Sequence, residues 1–181
     1  MDNKPRRADV RAQLLARRAA VPEREQALVR LSERVASWLA RESPARVGFY
    51  WPYRGEPDLR GVVGEWLAAR PARVAALPVI VDGRMEFHAW TPAAAMRSGA
   101  YGIAVPVRAE AVLPDAVLIP CVGFDAAGYR LGYGAGWYDR TLARLVPRPR
   151  TVGIAFEVCR LESIGPEPHD VPLDCVITDA G

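Results

Sequence analysis

The sequence feature that most constrains this chain is a glycine-rich segment between an apolar run and a helical run. Residues 116–121 (AVLIPC) are apolar, and residues 138–146 (YDRTLARLV) place apolar side chains at helical spacing. Between them lie Gly132, Gly134 and Gly136. Glycines let backbone N–H groups approach an anion closely, and the N-terminus of a following helix adds unpaired donors and a positive dipole end. The order strand, glycine-rich loop, helix therefore predicts a phosphate-binding site.

Residue counts and spacing exclude two common phosphate-binding motifs. A Walker-type loop needs a lysine directly after its last glycine, and the only lysine in the chain is Lys4. A dinucleotide-binding fingerprint reads GxGxxG early in the chain, with an acidic residue about twenty positions later. Here the spacing is GxGxG, the motif lies late in the chain, and the acidic residue is absent. A tight turn that uses glycine only for its geometry remains an alternative.

Arg130 and Asp139 flank the glycines and favour a magnesium–nucleotide site. Arginine can bind phosphate through two parallel hydrogen bonds. Aspartate can hold a magnesium ion that bridges nucleotide phosphates. An aspartate in the first turn of a helix is also favourable in itself, so a capping role is the alternative for Asp139.

The remaining pattern predicts an α/β fold. Apolar segments alternate with helical ones, which is typical of a mostly parallel sheet covered on both faces. The predicted strands are 46–51, 73–78, 116–121, 151–156 and 175–178, with a hairpin-like segment over 79–90. The predicted helices are 6–20, one that begins at 21–23, 57–70, a short one at the start of 91–104, and 138–146. A length of 181 residues suits one domain.

Composition excludes several other classes of protein. No apolar run is long enough for a membrane span, and the polar, basic N-terminus is unlike a secretory signal. The three cysteines form no CxxC pair, which predicts reduced thiols in a cytoplasmic protein. The net charge of +3 is weak support for an acidic partner. Arginines recur along the whole chain without a recognition motif, so an RNA-associated protein is only an alternative interpretation.

The predicted N-terminal helix carries a row of arginines. At helical spacing Arg7, Arg11 and Arg18 fall within roughly 40° of one another, and Leu14 lies in the same sector. The pattern fits either a surface helix with one basic side or an arginine row that reaches toward phosphates.

Residues 122–142 (VGFDAAGYRLGYGAGWYDRTL) resemble the signature of the 5-formyltetrahydrofolate cyclo-ligase family, also called 5,10-methenyltetrahydrofolate synthetases. That signature reads approximately FD-x-x-G-x-R-L-G-x-G-x-G, then an aromatic residue and Y-D-R. The resemblance continues through the basic N-terminal helix, FYWPYRGEPDL at 49–59, YGIAVP at 101–106, and the segment 151–178.

The resemblance implies a single three-layer α/β/α domain over residues 1–181, with the basic helix of residues 1–20 contributing to the nucleotide site. It also implies an ATP- and Mg²⁺-dependent conversion of 5-formyltetrahydrofolate to 5,10-methenyltetrahydrofolate, with release of ADP and phosphate. The formyl oxygen is a poor leaving group until it is phosphorylated, and phosphoryl transfer mainly needs positioning and charge neutralisation. The expected protein is a cytoplasmic monomer that binds neither nucleic acid nor membrane. A non-catalytic binder of folate or nucleotide with the same fold is the alternative.

The resemblance assigns roles to individual residues by their positions in the segments that match the family. Arg130 and Asp139 are the expected catalytic residues, and Asp139 is the expected magnesium ligand, with Asp125 nearby. The expected nucleotide-binding residues are Arg7, Arg11, Arg130, Leu131, Gly132, Tyr133, Gly134, Ala135, Gly136, Tyr138 and Asp139. For the folate, Glu56 would accept paired hydrogen bonds from the pterin amino group and ring N–H. The expected apolar and stacking wall for the pterin is Met85, Tyr101, Trp137 and Tyr138. A solvated loop carboxylate and ordinary core packing are the alternatives for these folate residues.

Three positions depart from the family pattern. The first basic residue of the N-terminal pair is Arg7 where lysine is common, and Lys4 one turn earlier is the other candidate for the contact with ATP. Ala135 replaces the middle glycine, so we expect a negative φ there. Trp137 keeps a stacking face but lacks the hydroxyl of the usual tyrosine.

The two histidines are expected to lie outside the reaction chemistry. The strand pattern of 79–90 predicts that Met85 and Phe87 face inward, whereas His88 and Trp90 face outward. The pair His169-Asp170 is expected to form structural hydrogen bonds.

Overall fold

A computed structural model describes residues 6–180 of the chain. It contains four α-helices: α1 (Arg7–Ala19), α2 (Arg24–Glu42), α3 (Arg60–Ala68) and α4 (Trp137–Leu142). Single 3-10 turns lie at Ala100–Gly102 and Glu157–Cys159. Helix α1 agrees with its predicted range. Helix α2 begins after Pro22, and α4 ends earlier than predicted, five residues before the first of the prolines at 147 and 149.

The strands form one large sheet and two short hairpins. They are β1 (Arg46–Gly48), β2 (Val74–Val81), β3 (Arg84–Trp90), β4 (Met96–Ser98), β5 (Ala104–Pro106), β6 (Ala116–Pro120), β7 (Gly123–Phe124), β8 (Arg130–Leu131), β9 (Arg150–Ile154) and β10 (Cys175–Ile177). The large sheet has the order β10-β9-β6-β1-β2-β3. All neighbours are parallel except β2 and β3, so the predicted mostly parallel sheet is confirmed.

Both faces of the sheet are buried, which gives three layers. On one face Ala116 and Leu118 pack in a cluster with side chains of α2 and α3 such as Leu31. On the other face Val117 and Ile119 pack in a separate cluster with Leu142 of α4. Successive residues of a strand point to opposite faces, so the apolar run of β6 supplies both layers.

The prediction for residues 91–104 was wrong. No helix forms there; instead β4 and β5 pair as an antiparallel hairpin around the 3-10 turn. Gly99 N donates to Ile103 O at 2.8 Å, which closes the hairpin. The run of alanines at 93–95 favours helix, but Pro92 and Gly99 leave too few residues between them for a stable one.

The outward placement of His88 and Trp90 was also wrong, because β3 is covered on more than one side. His88 is 5% exposed and Trp90 is 5% exposed. Trp90 packs edge-on against Phe49, with ring centroids 5.0 Å apart. The free edge of β3 is covered by the following chain, since Ala89 N donates to Glu110 O at 2.8 Å. Alternation marks the faces of this strand correctly, but the face that carries His88 and Trp90 is covered at both of them and is exposed only at Glu86 and the first residue of the strand.

The strand order reverses between β1 and β6, and this positions the site. From β1 the chain runs through α3 to β2 on one side, and from β6 it runs through α4 to β9 on the other. The carboxyl ends of β1 and β6 therefore flank a crevice. Open α/β sheets bind their ligands at such a crevice.

Candidate functional site

Three segments meet at the crevice. The first is the turn at 53–56, which follows β1, and the second is the glycine loop, residues 132–136, which precedes α4. Helix α1 lies against both of them. Arg11 Nε donates to Gly132 O at 2.7 Å, and Arg18 Nη2 donates to Arg54 O at 3.1 Å.

The glycine loop is exposed and has the geometry expected of an anion cradle. Gly134 has φ 100° and Gly136 has φ 64°, values that favour glycine. Ala135 does not have a positive φ, which confirms the prediction for that position. A Cβ at Gly134 would lie 3.3 Å from Arg11 Cζ, a tight contact that the flexible arginine could relieve, so it is the φ of 100° that requires glycine here. The loop thus combines free backbone with a neighbouring positive charge.

Arg130 and Asp139 form a buried ion pair beneath the loop. Arg130 Nη2 donates to Asp139 Oδ1 at 2.8 Å, and Arg130 Nη1 donates to Val171 O at 2.8 Å. Val171 N also donates to Asp139 Oδ1, at 3.2 Å. The Arg130 side chain is 5% exposed, against 22% for that of Asp139. The structure brings the two expected catalytic residues together and joins them to the C-terminal segment.

Arg7 binds the segment 165–170. Its Nη2 donates to Asp170 Oδ2 at 2.6 Å and to Gly165 O at 2.9 Å. Beside it lies a cavity of about 250 Å³, lined by Arg7, Val10, Leu131, Ser163, Ile164, Gly165, Pro166 and Glu167. Leu131, an expected nucleotide residue, is 2% exposed and packs in the core with Leu14. Lys4, the other candidate at this end of α1, lies outside the described residues.

Glu56 is a buried carboxylate with two protein donors. It is 5% exposed, so the alternative of a solvated loop acid is wrong. Tyr53 N donates to Oε2 at 2.9 Å, and Tyr133 Oη donates to Oε1 at 3.1 Å. Burial raises the pKa of Glu56 to about 7, although the two hydrogen bonds and the charge of Arg18 act in the opposite direction.

Tyr133 lies in the glycine loop, yet its hydroxyl reaches the Glu56 side of the crevice. Arg18 Nη2 donates to Tyr133 Oη at 2.6 Å. Its ring packs edge-on against Tyr53, with centroids 5.6 Å apart. Burial raises the pKa of Tyr133 to about 12, so the phenol keeps its proton at neutral pH. Tyr133 was expected to contact the nucleotide. The structure shows in addition that its hydroxyl contacts Glu56, the residue expected to bind folate.

Arg18 and Tyr53 belong to the site, and neither was expected as a site residue. Arg18 is 1% exposed, and its Nε and Nη1 have no hydrogen-bond partner among residues 6–180. Its position in the same helical sector as Arg7, Arg11 and Leu14 was the available signal. Tyr53 had no comparable signal, because its contact with Glu56 is made by its backbone N–H.

The expected folate wall is brought together in part. Trp137 Nε1 donates to Tyr101 Oη at 3.3 Å, and the Arg140 guanidinium lies 4.7 Å from the Trp137 ring centre. Tyr101 is 63% exposed, with φ 59°. Met85 is buried in the core cluster against which Trp137 and Tyr138 pack. Burial raises the pKa of the Tyr138 phenol well above its ordinary value.

Asp125 and Asp170 have structural partners. Asp125 accepts hydrogen bonds from the backbone N–H groups of Ala127, Tyr129 and Ile164 at 3.0–3.1 Å, which engages both carboxylate oxygens. Asp170 pairs with Arg7, whereas His169 is exposed and lies 3.9 Å from Asp170. Asp170 therefore has the structural role expected of it, but its partner is Arg7, and His169 lies too far from it for a hydrogen bond.

Within residues 6–180 no three His, Cys, Asp or Glu side chains are grouped as a metal site. Magnesium bound to a nucleotide does not need such a group, because it usually keeps several waters and takes one or two carboxylates plus phosphate oxygens. Asp139 fits that requirement, because both of its hydrogen bonds are accepted by Oδ1 and its side chain is 22% exposed. In the described part of the chain, no helix has the length and apolar character to cross a bilayer.

Comparisons of sequence and of structure with known proteins match nearly the whole chain. The family model described as the 5-formyltetrahydrofolate cyclo-ligase family matches residues 3–179. The chain belongs to this family. A 5-formyltetrahydrofolate cyclo-ligase from Haemophilus influenzae is 26% identical, over 94% of this chain and 96% of its own length.

Solved cyclo-ligase-family structures have the same fold. The 5,10-methenyltetrahydrofolate synthetase of Aquifex aeolicus superposes with a TM-score of 0.79 at 32% identity, over 97% of this chain and 90% of that one. The Mycoplasma pneumoniae synthetase gives 0.78 at 26% identity, over 99% of both chains. The family match includes both sides of the crevice, Glu56 on one and the glycine loop on the other.

Proposed function

We propose that this cyclo-ligase family member converts 5-formyltetrahydrofolate to 5,10-methenyltetrahydrofolate, with ATP and Mg²⁺ as co-reactants and with release of ADP and phosphate. The observation that carries the proposal is the pairing, across one crevice, of a buried carboxylate at Glu56 with an exposed glycine–arginine loop. The carboxylate suits a ring with adjacent N–H donors, and the loop suits a polyphosphate. Both sides are needed for a reaction between these two substrates.

The proposed reaction balances as two substitutions. The formyl oxygen attacks the γ-phosphorus of ATP, and the bond to ADP breaks, which gives an N5-iminium phosphate. N10 then attacks the formyl carbon, the ring closes, the carbon–oxygen bond breaks, and the proton of N10 leaves with the inorganic phosphate. The reaction requires no protein nucleophile, so the protein's tasks are to position both substrates and to stabilise charge.

Each side of the crevice has a defined task in this proposal. The backbone N–H groups of residues 132–136, together with Arg7 and Arg11, bind the phosphates. Bound magnesium would neutralise phosphate charge, and Asp139 is the residue that would hold it. Arg130 keeps Asp139 in place and adds positive charge below the loop. The cavity beside Val10 and Leu131, which charged and apolar side chains line together, is large enough to take part of the nucleoside.

On the folate side Glu56 orients the pterin. A carboxylate has about four acceptor positions, and the protein uses two of those on Glu56. Two remain for the pterin amino group and the adjacent ring N–H. Tyr101, Trp137, Tyr138 and Met85 form the wall of this side, with the exposed Tyr101 and Trp137 nearest to solvent.

The test is an assay with ATP, Mg²⁺ and 5-formyltetrahydrofolate, followed by the near-ultraviolet absorbance of the methenyl product. We expect product only when all three are present. Glu56→Gln should raise the KM for folate at least tenfold, because it removes the charge that recognises the pterin, and should leave the dissociation constant of ATP measured without folate nearly unchanged. Glu65→Gln on the exposed face of α3 is the matched control. No product from the wild-type protein at saturating substrates would contradict the proposal.

We also propose that the enzyme acts as a monomer in the cytoplasm without nucleic acid. Cys121, Cys159 and Cys175 are all free thiols, which suits a reducing compartment. Sedimentation of the active protein as a dimer would contradict the first part of this proposal.

A further inference from the structure

Tyr133 is held from two sides by the same helix. Arg11 binds the carbonyl of the preceding residue, Gly132, and Arg18 binds the Tyr133 hydroxyl itself. The two arginines lie seven residues apart on α1, which places them on one face of the helix two turns apart. Tyr133 cannot move without changing at least one contact with α1.

The direction of the hydrogen bonds around Tyr133 follows from what each group can donate. A guanidinium has no acceptor, so the phenol oxygen must accept from Arg18. The phenol then has one proton to give. Its nearer acceptor is Glu56 Oε1 at 3.1 Å, and the alternative is Tyr53 O at 3.4 Å. The chain Arg18–Tyr133–Glu56 therefore delivers a donor to the carboxylate.

This donor determines which acceptor positions of Glu56 stay free. Tyr53 N fills one position on Oε2, and Tyr133 fills one on Oε1, so one position on each oxygen remains. Two acceptors on neighbouring oxygens match two neighbouring N–H donors. Without the Tyr133 hydroxyl, Oε1 loses its only protein donor in the described residues, and the carboxylate is free to rotate.

Tyr133 also belongs to the segment that would change when phosphate binds. Residues 133–135 are exposed, and Gly134 has a conformation that other residues rarely adopt. Phosphates at this loop would engage Arg11, which now binds Gly132 O, and would order the backbone on both sides of Tyr133. One side chain thus connects the loop of one substrate with the carboxylate of the other.

We propose that Tyr133 is a positioning residue that makes nucleotide binding at the glycine loop and folate binding at Glu56 mutually dependent. This inference rests on the proposed function, because it assigns ATP to the loop and folate to Glu56. Ordering of the loop by nucleotide holds the phenol against Glu56, and the oriented carboxylate then binds the pterin more tightly. Linkage requires that folate strengthen nucleotide binding by the same factor.

The experiment measures the dissociation constant of 5-formyltetrahydrofolate with and without a β,γ-imido analogue of ATP and Mg²⁺. We expect the analogue to tighten folate binding about tenfold in the wild-type protein. In Tyr133→Phe we expect the ratio to fall to about one, because the variant retains the ring and the loop but lacks the donor. Tyr129→Phe removes a phenol from the neighbouring turn, away from Glu56, and should keep the wild-type ratio.

A pH profile separates positioning from a general structural effect. Folate binding needs ionised Glu56, so affinity should rise with pH through the pKa of that group, which is about 7. The hydrogen bond from Tyr133 lowers this pKa, so in Tyr133→Phe the midpoint should move to higher pH. The charged or titratable groups that act on Glu56 are Arg18 from α1, Tyr50 after β1, Cys121 after β6, Tyr133 from the loop and Tyr138 from α4.

Two results would overturn the inference while leaving the proposed function intact. One is a wild-type protein that binds both ligands with no effect of the analogue on folate affinity. The other is a Tyr133→Phe variant with the wild-type ratio and an unshifted pH midpoint. A wild-type protein that binds neither ligand would overturn the proposed function as well.

Discussion

Arg18 and Arg130 are both buried, but their surroundings differ. Arg130 donates to the Asp139 carboxylate and to the Val171 carbonyl. Arg18 donates to a phenol and to a backbone carbonyl, forms no ion pair within residues 6–180, and leaves two buried nitrogens unpartnered. A buried charge without a counter-ion costs stability. The comparison indicates that Arg130 supports the fold, whereas Arg18 is retained for the charge it places near Glu56.

The strongest test of this comparison is Arg130→Ala. Removal of the buried guanidinium leaves the partly exposed Asp139 carboxylate without its cation and Val171 O without its donor, and we expect a loss of about 3 kcal/mol in the free energy of unfolding. Urea denaturation measures the change. Arg144→Ala, at an exposed position of the chain after α4, is the control. A loss below about 1 kcal/mol would mean that Arg130, like Arg18, contributes little to the stability of the fold.

Glu56→Gln tests the other half of the comparison through pH. Burial raises the pKa of Glu56 from 4.5 to about 7 in the folded protein, so the folded state binds more protons than the unfolded state between these values. Wild-type stability should therefore fall as the pH rises through this window, by at most about 3 kcal/mol.

The glutamine variant has no such group and should lack this part of the pH dependence. Above pH 7 it should be more stable than the wild type, and near pH 4 the difference should disappear. Thermal or urea unfolding at several pH values provides the measurement. If the free energy of unfolding had the same pH dependence in both proteins, burial would not destabilise the ionised form of Glu56.

The smallest expected change in stability is for Arg18→Met. Methionine fills similar space without a charge, and replacement of an uncompensated buried ion by an apolar side chain is neutral or stabilising by about 1 kcal/mol. We nevertheless expect weaker folate binding, because the pKa of Glu56 rises further when the positive charge is removed. Denaturation and the KM for folate measure the two effects. A loss of stability comparable with that of Arg130→Ala would remove the distinction between the two arginines.

The sequence was sufficient for the fold, whereas the residues that it assigns to the site stay a prediction. Apolar strands that alternate with helices predicted the parallel sheet, and the glycine loop was correctly placed between a strand and a helix. The helix predicted at the start of 91–104 failed for a local reason, the closeness of Pro92 to Gly99, whereas the failure at His88 and Trp90 was non-local. His88 and Trp90 are buried because the segment near Glu110 covers the edge of β3, and no pattern within residues 79–90 indicates that cover.

The sequence names candidate site residues, but it does not show which of them form hydrogen bonds with one another. Arg130 and Asp139 were expected there, but their hydrogen bonds with each other and with Val171 depend on the path of the C-terminal segment. Tyr133 was expected beside the nucleotide, and the tertiary contact of its hydroxyl with Glu56 joins residues 77 positions apart. Local sequence determines which side chains the loop carries, whereas the packing of α1 determines what they bind.

The contacts of α1 also have a consequence for synthesis of the chain. Its arginines bind residues 54, 132, 133, 165 and 170, so the helix that leaves the ribosome early finds its last partner only after Asp170 has emerged. Leu14, which is 1% exposed in the folded protein, packs with Val122, Leu131, Cys159 and Ile164, so its own core is also completed only in the last part of synthesis. The sheet can assemble on a growing chain, but completion of the crevice is a late event in biogenesis.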